Sequence, residues 1–294
     1  MAFHTSFHTP PRMALGLLTL LLCALAPASQ ARETLNWLLR DLPPSTVFAG
    51  PQEGQGAIDQ LMPLLIARMP EFDHVLVHVN RARSTQMLME HPSSCDPTLL
   101  WTAERARTIA FSIPTYVLLS SGLIVRKASL ARFATFLDDG EVDLRRLLNF
   151  SGFKIGVVAQ RSYGPLIDDI LDQSDDDAVS LHYGGEAVGS LLQMERLGRL
   201  QALLGYWPEV RYQAFLQGMT AEELVFLPIK GNPAYQYAHI GCSNTPQGRL
   251  AIEIIDREMR TLRENRLMGF YAQWLEPGQR SAYMEAAKAF FDRH

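Results

Sequence analysis

Short apolar strands alternate with amphipathic helices along most of this chain, and that alternation restricts the fold more than any other feature. Residues 57–69 carry Ile58, Leu61, Met62, Leu65 and Ile66 at helical spacing, and residues 74–79 (HVLVHV) alternate as a strand does. Residues 83–90 read as a short helix and 117–125 (VLLSSGLIV) as one strand. A second series follows: strand 153–159 (FKIGVVA), helix 165–171, strand 178–182, helix 187–197, strand 200–204, helix 209–216, strand 224–229 and strand 235–241. Thr245 and Pro246 supply a capping hydroxyl and a first-turn proline, so a helix is expected over 246–263, with Leu250, Ile254, Ile255, Met259 and Leu262 on its buried side. Helices over 267–275 and 281–291 close the chain. Strands and helices in this order indicate α/β architecture, with parallel sheets covered by helices on both faces.

The first 31 residues stand outside that pattern. Arg12 precedes a 14-residue apolar run, 13–26, which Pro27 breaks, and Ser29 and Ala31 are small residues at the two positions a signal peptidase reads. This is the layout of a cleavable secretory signal, with cleavage expected after Ala31 and a periplasmic destination. The run is too short to span a hydrocarbon core of ~30 Å. Leu22 precedes Cys23 where lipoprotein processing wants a small residue, which argues against lipidation. Removing 31 of the 294 residues leaves 263, enough for two domains. A net charge of −4 argues against a nucleic-acid partner.

Few residues point to chemistry. No Gly-x-Ser-x-Gly elbow, His-Glu-x-x-His pair, paired-cysteine metal spacing or phosphate-cradling glycine loop occurs, so no catalytic residue, metal or cofactor is implied. Two cysteines follow the leader, Cys95 and Cys242, and an oxidising compartment favours their pairing; two unrelated buried thiols are the alternative.

One stretch does carry a family likeness. Trp101-Thr102-Ala103-Glu104-Arg105 running into Phe111-Ser112-Ile113-Pro114 resembles the "T-x-E-R…F-S-x-P" signature of family 3 bacterial solute-binding proteins, the polar amino-acid receptors. Ser121–Val125 resembles the strand leaving the first lobe of that family, Ser151–Val157 the strand opening the second, and Arg260–Leu275 the closing helices. The pieces occur in the right order and span nearly all of the chain after the leader.

The resemblance implies a type II periplasmic-binding fold. A discontinuous first lobe comprises 32–125 and 240–294, a second lobe comprises 126–239, and two crossings form the hinge near 125–127 and 235–239. It implies that Arg105 grips a ligand carboxylate, a task suited to the planar fork of a guanidinium. Ser162 and Tyr163 open the first helix of the second lobe, where backbone N–H groups attract an anion; a plain N-cap is the alternative role. Trp37 is either an aromatic wall for the ligand or part of the core. Asp41, Tyr206 and Arg81 are further candidates, and Thr98 or Thr102 stands in for the threonine the family places near Leu100. The family's ammonium-binding acid is missing where Gly205-Tyr206-Trp207-Pro208 stands, which points away from an ordinary α-amino acid. The fold also brings Cys95 and Cys242 into one sheet. The implied function is ligand capture by a monomeric binding protein for an inner-membrane transporter, not catalysis. A ligand-sensing subunit and a dehydratase on the same fold are the alternatives.

Overall fold

The computed structural model describes residues 1–4 and 32–293, apart from the side chains of Ala221, Glu264 and Asn265. The expected signal sequence and its cleavage point fall on 5–31, outside the described residues. From Glu33 onward the chain forms one compact unit.

Two five-stranded mixed sheets organise it. The first contains β1 (Glu33–Leu39), β2 (Phe72–His78), β3 (Ser94–Leu100), β4 (Ile109–Leu119) and β12 (Tyr235–Ser243), in the order β2-β1-β3-β12-β4. The second contains β5 (Gly122–Arg126), β8 (Ile155–Val158), β9 (Val179–His182), β10 (Ala202–Gly205) and β11 (Leu224–Leu227), in the order β11-β5-β10-β8-β9. A small hairpin, β6 (Leu137–Asp138) with β7 (Glu141–Val142), stands apart. In the first sheet β1 runs parallel to β2 and β3, and in the second β8 runs parallel to β9 and β10. This is the two-lobed α/β architecture of type II periplasmic binding proteins.

Sequence dictates why these strands sit in the middle of layers. In β1, Leu35, Trp37 and Leu39 enter a core beneath α1 (Ala57–Ile66) and α7 (Pro246–Leu262). Leu38 points the other way, into a cluster with Met87 and Leu88 of α2 (Arg81–Glu90). A strand apolar on both faces needs cover on both faces, and helices provide it. β8 repeats the logic: Ile155 and Val157 enter one core and Val158 another, all nearly free of solvent. The predicted capping of α7 is present, with the Thr245 hydroxyl accepting from the Gly248 N–H at 3.0 Å. Ala251, Ile254, Ile255, Met259 and Leu262 are buried, but Leu250 is 49% exposed, contrary to the sequence expectation. Ala251, one residue on, takes the buried stripe instead.

The chain passes between the sheets twice, and here the structure moves the expected boundaries. The single strand expected over 117–125 is two: β4 ends at Leu119 in the first sheet, and β5 begins at Gly122 in the second. Residues 122–125, assigned from sequence to the first lobe, pair with β10 and β11. Tyr235–Ser243, whose first part was assigned to the second lobe, pairs with β3 and β4. The Ser120 N–H donates to the Ala234 carbonyl at 3.0 Å, so the two crossings run side by side. Gly122 is required at this break, because a Cβ there would lie 2.5 Å from the Phe226 ring.

Cys95 and Cys242 face each other across the antiparallel β3–β12 pair and form a disulfide. The bridge closes a loop of 147 residues that includes the whole second sheet. Chain-entropy reasoning assigns such a loop about 5 kcal/mol of stabilisation.

Candidate functional site

The parallel strands of each sheet deliver their carboxyl ends to a common groove, the position where open α/β sheets bind ligands. Four arginines converge there. Arg40 follows the last residue of β1, Arg81 begins α2 just beyond β2, and Arg105 lies in a short 3-10 turn after β3. Arg161 follows β8 in the facing half, three residues ahead of Gly164, the cap of α4 (Pro165–Asp172).

Two of the four are neutralised by buried carboxylates. Arg40 donates from Nε to Asp96 at 2.9 Å and from Nη2 to Thr98 Oγ1 at 2.6 Å. Asp96 is fully buried and also accepts from the Ser84 hydroxyl at 2.6 Å, the Thr98 N–H at 2.9 Å and the Thr98 hydroxyl at 2.8 Å. Burial pushes its carboxyl upward, but Arg40 and these donors hold it below the ordinary aspartate value. Across the groove, Arg161 makes a bidentate pair with Glu209 at 2.7 and 2.8 Å, with both side chains nearly inaccessible. Burial opposes the Arg161 charge, yet Glu209 outweighs it and the guanidinium is held firmly protonated. Arg161 also lies over the Tyr206 ring, 5.8 Å from its centre.

Arg105 and Arg81 have no such carboxylate. Arg105 donates to the Leu100 carbonyl at 3.1 Å and, across the groove, to the Gln160 carbonyl at 3.4 Å. Arg81 makes no hydrogen bond or ion pair with any described residue. Burial, followed by the like charges of Arg40, Arg161 and Arg105, pulls the Arg81 guanidinium well below its usual range. The same two causes, burial and then Arg40, lower Arg105.

The remaining sequence candidates divide. The Thr98 hydroxyl belongs to the Arg40–Asp96 network, and the Thr102 hydroxyl accepts the Arg105 N–H at 3.1 Å, fixing the turn that aims the guanidinium. Ser162 donates to Asp168, which also accepts the Tyr163 N–H at 2.7 Å. Asp41 accepts the Phe48 N–H at 3.1 Å, and burial raises its carboxyl pKa. Tyr206 donates to Gln236 at 3.2 Å and lines the groove. Trp37 is no ligand wall: it is fully buried in mid-strand, with its indole N–H donating to His74 Nδ1 at 3.0 Å. The Tyr163 ring is likewise core, its hydroxyl accepting the Val158 N–H at 2.8 Å. The Tyr163 carbonyl accepts from Ser121 at 3.2 Å and from Gln236 Nε2 at 2.5 Å, one residue from each crossing, so the turn that carries Arg161 is tied to the hinge.

Sequence reasoning left out Arg40, Asp96, Arg161 and Glu209. For the two arginines the available signal is a charge at or just beyond the end of an apolar run, as in Leu38-Leu39-Arg40 and Val158-Ala159-Gln160-Arg161. Only contact geometry shows which acid each arginine meets.

The groove is shut. A cavity of about 50 Å³ remains between the halves, with Thr98 and Tyr116 on one side and Tyr206 and Glu209 on the other. The Tyr212 hydroxyl on α6 (Trp207–Leu216) donates to the Ala49 carbonyl at 3.1 Å, Arg211 pairs with Glu276 at 3.3 Å, and Trp274 meets the Tyr212 ring edge-on. A wider open depression of about 750 Å³ near Phe136 and Phe150 contains none of the candidate residues. Among the described residues, no group of three or more His, Cys, Asp or Glu side chains is arranged to hold a metal, and no helix is long and apolar enough to cross a membrane.

No family model matches this chain, and no curated protein sequence does. Solved structures match its fold. A histidine kinase sensor domain with similarity to periplasmic binding proteins superposes with a TM-score of 0.64 at 14% identity, over 83% of this chain and 96% of that one. A structure concerned with glutathione import through GshT and the cystine ABC importer TcyBC of Streptococcus mutans gives 0.63 at 13%, covering 83% and 95%. An ancestral arginine-binding protein bound to arginine gives 0.61 at 13%, covering 83% and 99%. The neighbours are binding proteins and sensor domains.

Proposed function

We propose that this chain is a secreted solute-binding protein that captures a small carboxylate-bearing ligand between two lobes and delivers it to an inner-membrane transporter. In this reading the first 31 residues are a signal peptide removed after Ala31, and the remainder works in the periplasm as a monomer. The lobes are 33–119 with 235–293, and 122–227, joined by the paired crossings.

The observation that carries the reading is Arg105. Its guanidinium stands at the mouth of the first sheet and touches the facing half through the Gln160 carbonyl. A ligand carboxylate gripped by Arg105 would exchange that weak, long contact for a charge-assisted pair. Contacts made to both halves at once favour the closed population, which is how a ligand shifts a two-state equilibrium. Tyr206 lines the remaining cavity, Ser162 binds Asp168, whose charge acts on Arg105, and Thr98 and Thr102 hold Arg40 and Arg105 in place.

A thermal-shift screen against monocarboxylates, dicarboxylates and amino acids tests the capture step. A ligand raises the melting temperature in proportion to its excess over Kd. Arg105→Ala is expected to abolish that rise for a carboxylate; a mutant that responds like the wild type overturns the anchor. Delivery and sensing share capture, and they separate in cells: deleting the gene abolishes uptake of the ligand if delivery is the role, and leaves uptake intact if the protein informs a sensor.

A further inference from the structure

We infer that the groove selects an organic dianion without an ammonium group, a dicarboxylate whose two ends are taken by Arg105 and Arg81. This rests on the carboxylate-capture reading above and names the substrate class.

The acids near these arginines, the buried Asp96 and Glu209 and the half-buried Asp168 and Asp41, are each already engaged by protein donors. Asp96 accepts from Arg40, Ser84 and Thr98, and both oxygens of Glu209 are used by Arg161. Asp168 accepts from Ser162 and Tyr163. An ammonium group entering here would have to displace a guanidinium or a backbone donor to gain a counter-ion. Asp41 is the least engaged of these acids, with one hydrogen bond, from Phe48. The cations are the opposite case. Arg105 has only carbonyl oxygens as partners, and Arg81 has none among the described residues.

Topology puts the two unpaired guanidiniums on one rim. β1, β2 and β3 are neighbouring parallel strands, so the segments after them emerge side by side: Arg40 after β1, Arg81 after β2 and Arg105 after β3. Arg40 stands between them in strand order but is spent on Asp96. A half-buried guanidinium without a partner, within the field of Arg40, Arg161 and Arg105, is unfavourable until an anion arrives. Arg81 is therefore poised for an external carboxylate, and it makes neither of the carbonyl hydrogen bonds, to Leu100 and Gln160, that engage Arg105.

The test is calorimetric titration of the full chain with malonate, succinate, glutarate and adipate, against propionate, L-alanine and L-aspartate. At least one dicarboxylate is expected to bind tenfold or more tighter than propionate, with L-alanine no better than propionate. Arg81→Gln should reduce that dicarboxylate to the affinity of propionate while leaving propionate unchanged, whereas Arg105→Gln weakens both. Because Arg81 holds nothing in place, Arg81→Gln should melt at or above the wild-type temperature, which separates loss of binding from loss of folding. If L-alanine or L-aspartate binds tenfold tighter than every dicarboxylate, the dianion inference fails while carboxylate capture stands, and Asp41 becomes the ammonium partner. If Arg81→Gln leaves dicarboxylate affinity intact, the inference fails as well. If no acid in the panel binds the wild type, capture itself fails.

Discussion

Replacing Asp96 by asparagine removes one negative charge from the most enclosed polar cluster of the protein. Asp96 is fully buried, and the side chain of Arg40 is 5% exposed, so neither group can fall back on water. The amide keeps one oxygen for the Thr98 N–H, but its NH2 group faces donors. The two bonds from Arg40, at 2.9 and 3.3 Å, are lost as charge-assisted contacts. Thr98 still offers its carbonyl at 3.1 Å and its hydroxyl to the guanidinium, which limits the damage without supplying a counter-charge. Breaking a buried pair by removing one partner costs about 3–5 kcal/mol, a large part of the ~5–15 kcal/mol that holds a typical protein folded.

Urea unfolding at pH 7, followed by far-UV circular dichroism, reads this loss directly. The pH dependence supplies a second check. The folded carboxyl of Asp96 lies below its unfolded value. Its stabilising share is thus present above the unfolded value of about 3.9 and disappears as pH falls through the lower folded value. The curves for wild type and Asp96→Asn should therefore approach each other below pH ~4. Arg40→Met combined with Asp96→Leu, which removes both charges, should recover most of the lost stability. A single-mutant loss under about 1 kcal/mol, or a double mutant less stable than Asp96→Asn, would refute the reasoning.

Three further outcomes follow from the geometry. Reducing the Cys95–Cys242 bridge should lower stability by about 2–5 kcal/mol, measured as the denaturation midpoint with and without reductant; an unchanged midpoint contradicts the bridge. Gly164→Ala forces a side chain onto a backbone at φ +106°, with its Cβ 2.3 Å from Gln236 Nε2, so about 1–3 kcal/mol should be lost and equal stability would exclude the tight packing described. Trp37→Phe should reduce stability through its lost bond to His74 yet leave carboxylate affinity unchanged in calorimetry, and a selective loss of affinity would return Trp37 to the groove.

The fold was legible because its signals are local. Apolar runs such as Ile155–Val158 and the capped helix Pro246–Leu262 announce themselves within a few residues, and nearly all the expected elements are present to within a few positions. The hinge is not legible in sequence, because 117–125 (VLLSSGLIV) is apolar at both ends and hydropathy does not register that the chain changes sheets at Ser120–Ser121. β4 was missed over Ile109–Tyr116, where Pro114 breaks the appearance of a strand but is tolerated at the sheet edge. At the site, Arg105 and Arg81 are legible only through the family likeness, since no local pattern separates them from other surface arginines. Of the two roles open to Trp37, ligand wall or core, the structure shows the second, because alternation along β1 assigns it to the same inward face as Leu35 and Leu39. The Arg161–Glu209 pair joins residues 48 apart, a separation no local pattern encodes.

The bridge between β3 and β12 also decides how this protein bears tension. A pull applied at residues 33 and 293 crosses from Cys95 to Cys242 through the sulfur atoms, so every residue between them lies on a slack ring off the loaded path. The second sheet would stay folded while the flanking segments peel away. Only with the thiols reduced would stretching in an optical trap release the full contour of the chain.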